Sequence, residues 1–236
     1  MEIPAEFTHF EGASDVPWDE IAELIKKKAR SKGVGKFQAF TDAVIEVASA
    51  ESMKTEPNET VLALGMEVCL VRGRFPEALF MSAESDSPTV LSLKAVVLFT
   101  LSDVEGLMKV VNRLGSLIND NSSATDRVRL SIAKVLYAAA KHDTSVIECV
   151  MEFDGLLEEY PDQVESPLTE TMFALYVVGA LLREVGQTSR ATRLADTLEG
   201  MAERKKHRAF RALVENLRGN ICNYEGQFEQ AEKHYL

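Results

Sequence analysis

The stretch Asn216 to Leu236, NLRGNICNYEGQFEQAEKHYL, holds the end of one helical run, a glycine at Gly226 that punctuates it, and a second helical run with Ala231 five positions on. The glycine lets the first helix end in a left-handed conformation, and the small residue lets the second helix cross closely over the first. Working back along the chain, the same phrase recurs as Gly73-Arg-Phe-Pro-Glu-Ala78 and Gly186-Gln-Thr-Ser-Arg-Ala191. Weaker copies stand at Ser102-Asp-Val-Glu-Gly-Leu107 and His142-Asp-Thr-Ser-Val-Ile147, and a poorer one at Gly33 to Phe37. The steps between the five clear turns are 29, 40, 44 and 40 residues. Such steps suit paired helices of roughly 14 to 20 residues with short loops, about six pairs in all.

The segment Asn216–Leu236 resembles a tetratricopeptide repeat, with Gly219, Gly226, Ala231 and Tyr235 at the spacing of that family's small, turn, small and aromatic positions. Gly179, Gly186 and Ala191 repeat the spacing, whereas the copy at Gly73 and Ala78 has Met66 where a small residue is usual. The middle, residues 88–165, departs in spacing and residue type and reads as hairpins of another solenoid kind. The resemblance implies an all-α, right-handed α-solenoid of about six antiparallel helix pairs. Residues 1–14 are set apart as an N-terminal tail, and 15–236 as one TPR-like solenoid cut short within its last pair.

In such solenoids the first helix of each pair lines a concave groove that takes a peptide or a partner helix. Carried across, the groove positions are Phe173, Tyr176, Ala180 and Arg183, then Leu213, Asn216, Asn220 and Asn223. The three asparagines share one helix face, and each offers a donor and an acceptor to a backbone laid across it. Gly219-Asn220 is similar to the start of repeats that clamp chaperone C-termini, but Asn216 stands where those carry lysine, which argues against that role.

Composition agrees with helix. The 236 residues are 46% hydrophobic, with only 13 glycines and 7 prolines lying between long Ala-, Leu-, Glu- and Val-rich stretches. That is enough for a sizeable core without disulfides or metals. A net charge of −11 argues against general affinity for phosphate backbones or anionic lipid. The longest apolar run, Met172 to Leu182, falls short of the roughly 20 residues that cross a bilayer. Met1–Asp15 shows no secretory signal, so a cytoplasmic chain with no membrane span is expected. Cys69, Cys149 and Cys222 are far apart among apolar neighbours and read as small core residues.

Chemistry is sparse. His9, His142, His207 and His234 show no metal-ligand spacing, and Gly33-Val-Gly35-Lys36 lacks the spacing of a phosphate loop. No catalytic residue, metal or cofactor is expected. Two basic clusters interrupt the acidic background: Lys26, Lys27, Lys28, Arg30, Lys32 and Lys36, then Arg204, Lys205, Lys206, Arg208 and Arg211. They read as solvated helix charge, or as an RNA-binding patch if both face the same way. The leading expectation is a non-enzymatic scaffold or adaptor subunit binding protein partners through its groove; a helical-repeat RNA-binding protein is the alternative. Oligomeric state stays open, as does the choice among vesicle-coat, targeting and degradation complexes, all of which contain TPR-like proteins.

Overall fold

Twelve α-helices are set by local signals among the residues described by the computed structural model: 1–32, 34–119, 121–142, 145–159, 168–204 and 208–236. They run α1 Trp18–Lys32, α2 Lys36–Glu51, α3 Glu59–Arg72, α4 Phe75–Met81, α5 Pro88–Thr100, α6 Val104–Leu117, α7 Ala124–Lys141, α8 Val146–Glu159, α9 Leu168–Glu184, α10 Thr188–Arg204, α11 Arg208–Tyr224 and α12 Phe228–Tyr235. No strand occurs among the described residues. The side chains of Asn58, Asp103 and Ser123 accept from the backbone N–H groups of Val61, Gly106 and Asp126, capping α3, α6 and α7. Each such cap stabilises its helix by about 1 kcal/mol.

The turns lie where the repeating phrase places them. Gly73, Gly186 and Gly226 adopt positive φ of 64°, 77° and 76° between the helices they separate. Ser102 and His142, which replace glycine in the two weaker copies, take the same left-handed conformation at 58° and 54°. These are the two non-glycine residues with positive φ among the described residues. The middle of the chain therefore folds by the same helix-turn-helix unit as its ends, despite its different residues.

Consecutive helices pack against each other from α1 to α8 and again from α9 to α12, and α3, α5, α7, α9 and α11, the first helices of successive pairs, adjoin in a row. Pairs one to six are thus α1/α2 through α11/α12. Two of the second helices, α4 and α12, have seven and eight residues, shorter than the expected lengths. In pair two the small residue sits one place earlier than the repeat spacing predicts. Met66 is fully buried, and it is Gly65 whose added Cβ would stand 2.3 Å from the Ala48 Cβ.

The interior divides into two apolar clusters. One gathers Phe7, Phe40, Leu62, Leu64 and Met81 from the first pairs; the other gathers Leu107, Ile132, Phe153, Leu175 and Leu217 from the later ones. Helix α5 belongs to both, giving Val90, Leu93 and Val97 to the first and Leu91, Ala95, Val96 and Leu98 to the second. A helix apolar all round is a buried helix, and the sequence Pro88–Thr100 is of that kind.

Residues 1–14, set apart as a tail by the sequence, carry a 3-10 helix, Ala5–Phe10, packed on the first cluster. Phe7 is completely buried and stacks on Phe40 with ring centroids 5.8 Å apart. No described helix is long and apolar enough to cross a membrane.

Candidate partner-binding surfaces

The groove positions on the last two first-helices come together. The Tyr176 hydroxyl of α9 donates to Asn216 Oδ1 of α11 at 3.0 Å, and Asn220 Nδ2 donates to the same oxygen at 3.0 Å. Tyr235 of α12 extends the row by donating to Asn220 Oδ1 at 2.8 Å. Close approach makes this row possible: a Cβ on Gly179 would meet Leu217 at 2.7 Å, and one on Gly219 would meet Tyr235 at 2.4 Å. Burial pushes the Tyr176 phenol above its usual value, so it remains a donor across the ordinary pH range. The row uses one of the four amide N–H donors that Asn216 and Asn220 carry, so donors remain for a ligand backbone. Asn223 is exposed one turn further along α11.

Two groove positions are placed differently. Phe173 packs edge-on against Phe99 of α5, with ring centroids 5.9 Å apart, and belongs to the border of the core. Arg183 is largely covered, and its Nη2 donates to Glu184 at 3.0 Å.

A polar cluster lies where the first helices of pairs two to five, α3, α5, α7 and α9, meet. Thr169 Oγ1 at the start of α9 donates to Glu67 Oε2 of α3 at 3.0 Å, across 102 residues of sequence. The same carboxylate pairs with His9 Nε2 at 3.0 Å. Beside it, Glu170 accepts from Ser92 Oγ of α5 at 2.6 Å, and Arg129 Nε of α7 lies 3.8 Å away. Glu67 and Glu170 are only 6% and 2% exposed. Burial, reinforced by the neighbouring Glu67, raises the Glu170 carboxyl above its ordinary range, while Arg129 pulls it down. A cavity of about 270 Å³ adjoins the cluster, lined also by Phe10, Glu59 and Thr60.

This cluster was hidden in sequence, since its members are up to 161 positions apart, from His9 to Glu170. One signal was available. Glu67 is a lone acid in the otherwise apolar ALGMEVCLV, and an acid in a helix buried on all sides must be paired.

The basic clusters meet at one place. Lys36 and Arg204 both line an open pocket of about 720 Å³, but Glu2 and Glu11 line it too. Several of these cations are already matched by carboxylates: Lys26 by Glu23 at 2.6 Å, Lys28 by Glu46 at 2.5 Å and Lys36 by Glu2 at 3.5 Å. Lys27 and Arg30 are exposed on α1. Lys205 and Lys206 lie outside the described residues, as does the side chain of Arg208.

Cys69 is buried, and burial pushes its thiol up to about 12, which makes it inert as a nucleophile at neutral pH. Cys149 and Cys222 are half-buried. No group of three or more metal-ligating side chains occurs among the described residues. Comparison of the chain with known protein families, with curated proteins and with solved structures finds no match.

Proposed function

We propose that this chain is a TPR-like, right-handed α-solenoid acting as a non-enzymatic scaffold or adaptor subunit inside the cell, and that it holds a partner peptide or helix across α9 and α11. The observation that carries the reading is the hydrogen-bonded row Tyr176–Asn216–Asn220–Tyr235. The row orders polar side chains on an accessible inner face, with amide donors left over. Ordered, exposed amides of this kind suit recognition of a main chain, whose carbonyl groups repeat regardless of side-chain identity. Prior ordering also lowers the entropy lost on binding.

The test is affinity purification of the tagged protein from its native cells, beside a variant with Tyr176, Asn216 and Asn220 changed to Ala. A small stoichiometric set of proteins, lost from the variant while its helical circular dichroism is unchanged, is the expected result. Retention of every partner by the variant would remove the row from the reading.

A second reading, RNA binding, has one observation in its favour: Lys36 and Arg204, one from each basic cluster, line the same pocket. The carboxylates of Glu2 and Glu11 in that pocket oppose it. Salt-dependent RNA binding at physiological ionic strength, lost on charge reversal at Lys36 and Arg204, would replace the first reading with this one.

A further inference from the structure

The N-terminal segment, residues 1–14, is fastened to the helices at two points of different chemistry. Phe7 is the apolar one, buried against Phe40 of α2. Two residues on, His9 is the polar one, its Nε2 lying 3.0 Å from Glu67 Oε2 of α3. The apolar anchor is indifferent to pH. The polar anchor is not, because histidine is the side chain whose charge ordinarily changes near neutrality. The His9 side chain is 21% exposed, so water can exchange its proton in place, whereas the Glu67 side chain is only 8% exposed. A pair whose acid is withdrawn from water is screened less than one on the open surface.

The charges around His9 favour its protonated form. Glu59 and Glu67 of α3, Glu170 of α9 and Arg129 of α7 line the cavity that His9 and Phe10 also line, and α5 adds the uncharged Thr89. On the segment itself, Glu6 and Glu11 flank His9 in sequence. Arg129, the cation facing His9 in this set, is matched by Asp126 at 3.0 Å. Thr169 Oγ1 donates to the same Glu67 oxygen that meets His9, so the carboxylate keeps its place whether or not His9 is charged.

We propose that the His9–Glu67 contact makes the N-terminal segment a pH-sensitive latch over the cavity among α3, α7 and α9, tightening as pH falls from about 8 to about 6 and loosening as it rises. The sign follows from linkage. Docking sets the imidazole against carboxylates and release returns it to water, so the docked state binds that proton more firmly. This contribution to docking is complete below the ordinary histidine value and is lost as pH rises above it. Glu170 acts in the same sense: burial holds its carboxyl above the usual range, and its ionisation at higher pH favours a cavity opened to water. The latch belongs to the first pairs and does not rest on the Tyr176–Asn220 row.

Amide hydrogen exchange of the full chain at about pH 6 and about pH 8, corrected for the intrinsic rate, reads the opening. The amides of Phe7, Glu11 and Ala13 report on the segment, since they donate to the carbonyls of Pro4, Thr8 and Phe10 at 2.9, 2.9 and 3.1 Å. The Ile118 amide, which donates to Leu114 at the end of α6, is the reference for the rest of the molecule. Protection of the segment is expected to fall about tenfold over this range, and by more than that of Ile118. His9→Gln keeps a side-chain N–H but cannot gain a charge, and Glu67→Gln keeps an oxygen for Thr169 without one. In each the fall should shrink to less than about threefold. Segment protection that ignores pH or rises with it would overturn the proposal. An equal fall at Ile118 would do the same, since the whole molecule would then be opening. So would an undiminished fall in His9→Gln, which would pass the switch to Glu170.

Discussion

The meeting of first helices in pairs two to five and the meeting of the last two first helices, α9 and α11, end in opposite states. In the first region α3, α5, α7 and α9 approach until Glu67 meets Thr169 and Ser92 meets Glu170, and the N-terminal segment adds His9. In the second, α9 and α11 present a Tyr and Asn row with Asn216 exposed. The difference teaches that the same row of first helices buries its polar side chains where α3, α5, α7 and α9 meet and leaves them accessible between α9 and α11. Polar side chains on these helices form a buried network in the first region and an accessible hydrogen-bonded row in the second.

Removing the N-terminal anchor is the strongest way to break this contrast. Phe7→Ala should cost about 3 to 5 kcal/mol in chemical denaturation, because a fully buried ring stacked on Phe40 is lost. A loss below about 1 kcal/mol would mean that residues 5–10 are not part of the closed region.

Titration sharpens it next. Glu170 has its carboxyl held above the usual range in the native state, so its protonated form is favoured by folding. Its contribution is therefore complete below the ordinary glutamate value and declines as pH rises through the raised one. Glu67, Glu59, His9 and Arg129 border the same space and set the size of the decline. Glu170→Gln cannot ionise, so between about pH 4 and pH 8 the wild type should lose melting temperature relative to the variant. A pH-independent difference would show that Glu170 is not desolvated as described.

The smallest effect compares two glycines with nearly equal crowding. An added Cβ meets Ala48 Cβ at 2.3 Å from Gly65, and the Tyr235 ring at 2.4 Å from Gly219. The Ala48 methyl is fixed to its helix, whereas the Tyr235 ring is 49% exposed and can swing aside. Gly65→Ala should cost about 1 to 3 kcal/mol, and Gly219→Ala under about 1 kcal/mol because better helix propensity offsets the strain. Equal losses in thermal or urea unfolding would say that the last pair is packed as tightly as the second.

Much of the architecture was legible because turn chemistry is local. The phrase at Gly73, Gly186 and Gly226 is read from a few residues, and its weaker copies at Ser102 and His142 hold the same backbone conformation. The position of Gly65 was missed because close approach depends on what the neighbouring helix brings, here Ala48 and Met81, which are distant in sequence. The row Tyr176, Asn216 and Asn220 was reachable from helical periodicity, since all three lie on first helices of successive pairs. Its extension to Tyr235 was not, because that contact crosses between the helices of one pair. Phe173 shares the periodicity of Tyr176 and still faces Phe99, since periodicity fixes a face and not what lies opposite it.

Helix α5, shared by both apolar clusters, bears on how the molecule comes apart. A simple helical array has only nearest-neighbour interfaces and unzips from its ends one unit at a time. Here α5 gives side chains to both halves, and the Thr169–Glu67 bond joins units that are not adjacent in sequence. Opening either half strips contacts from the other, so pairs two to five form one cooperative unit.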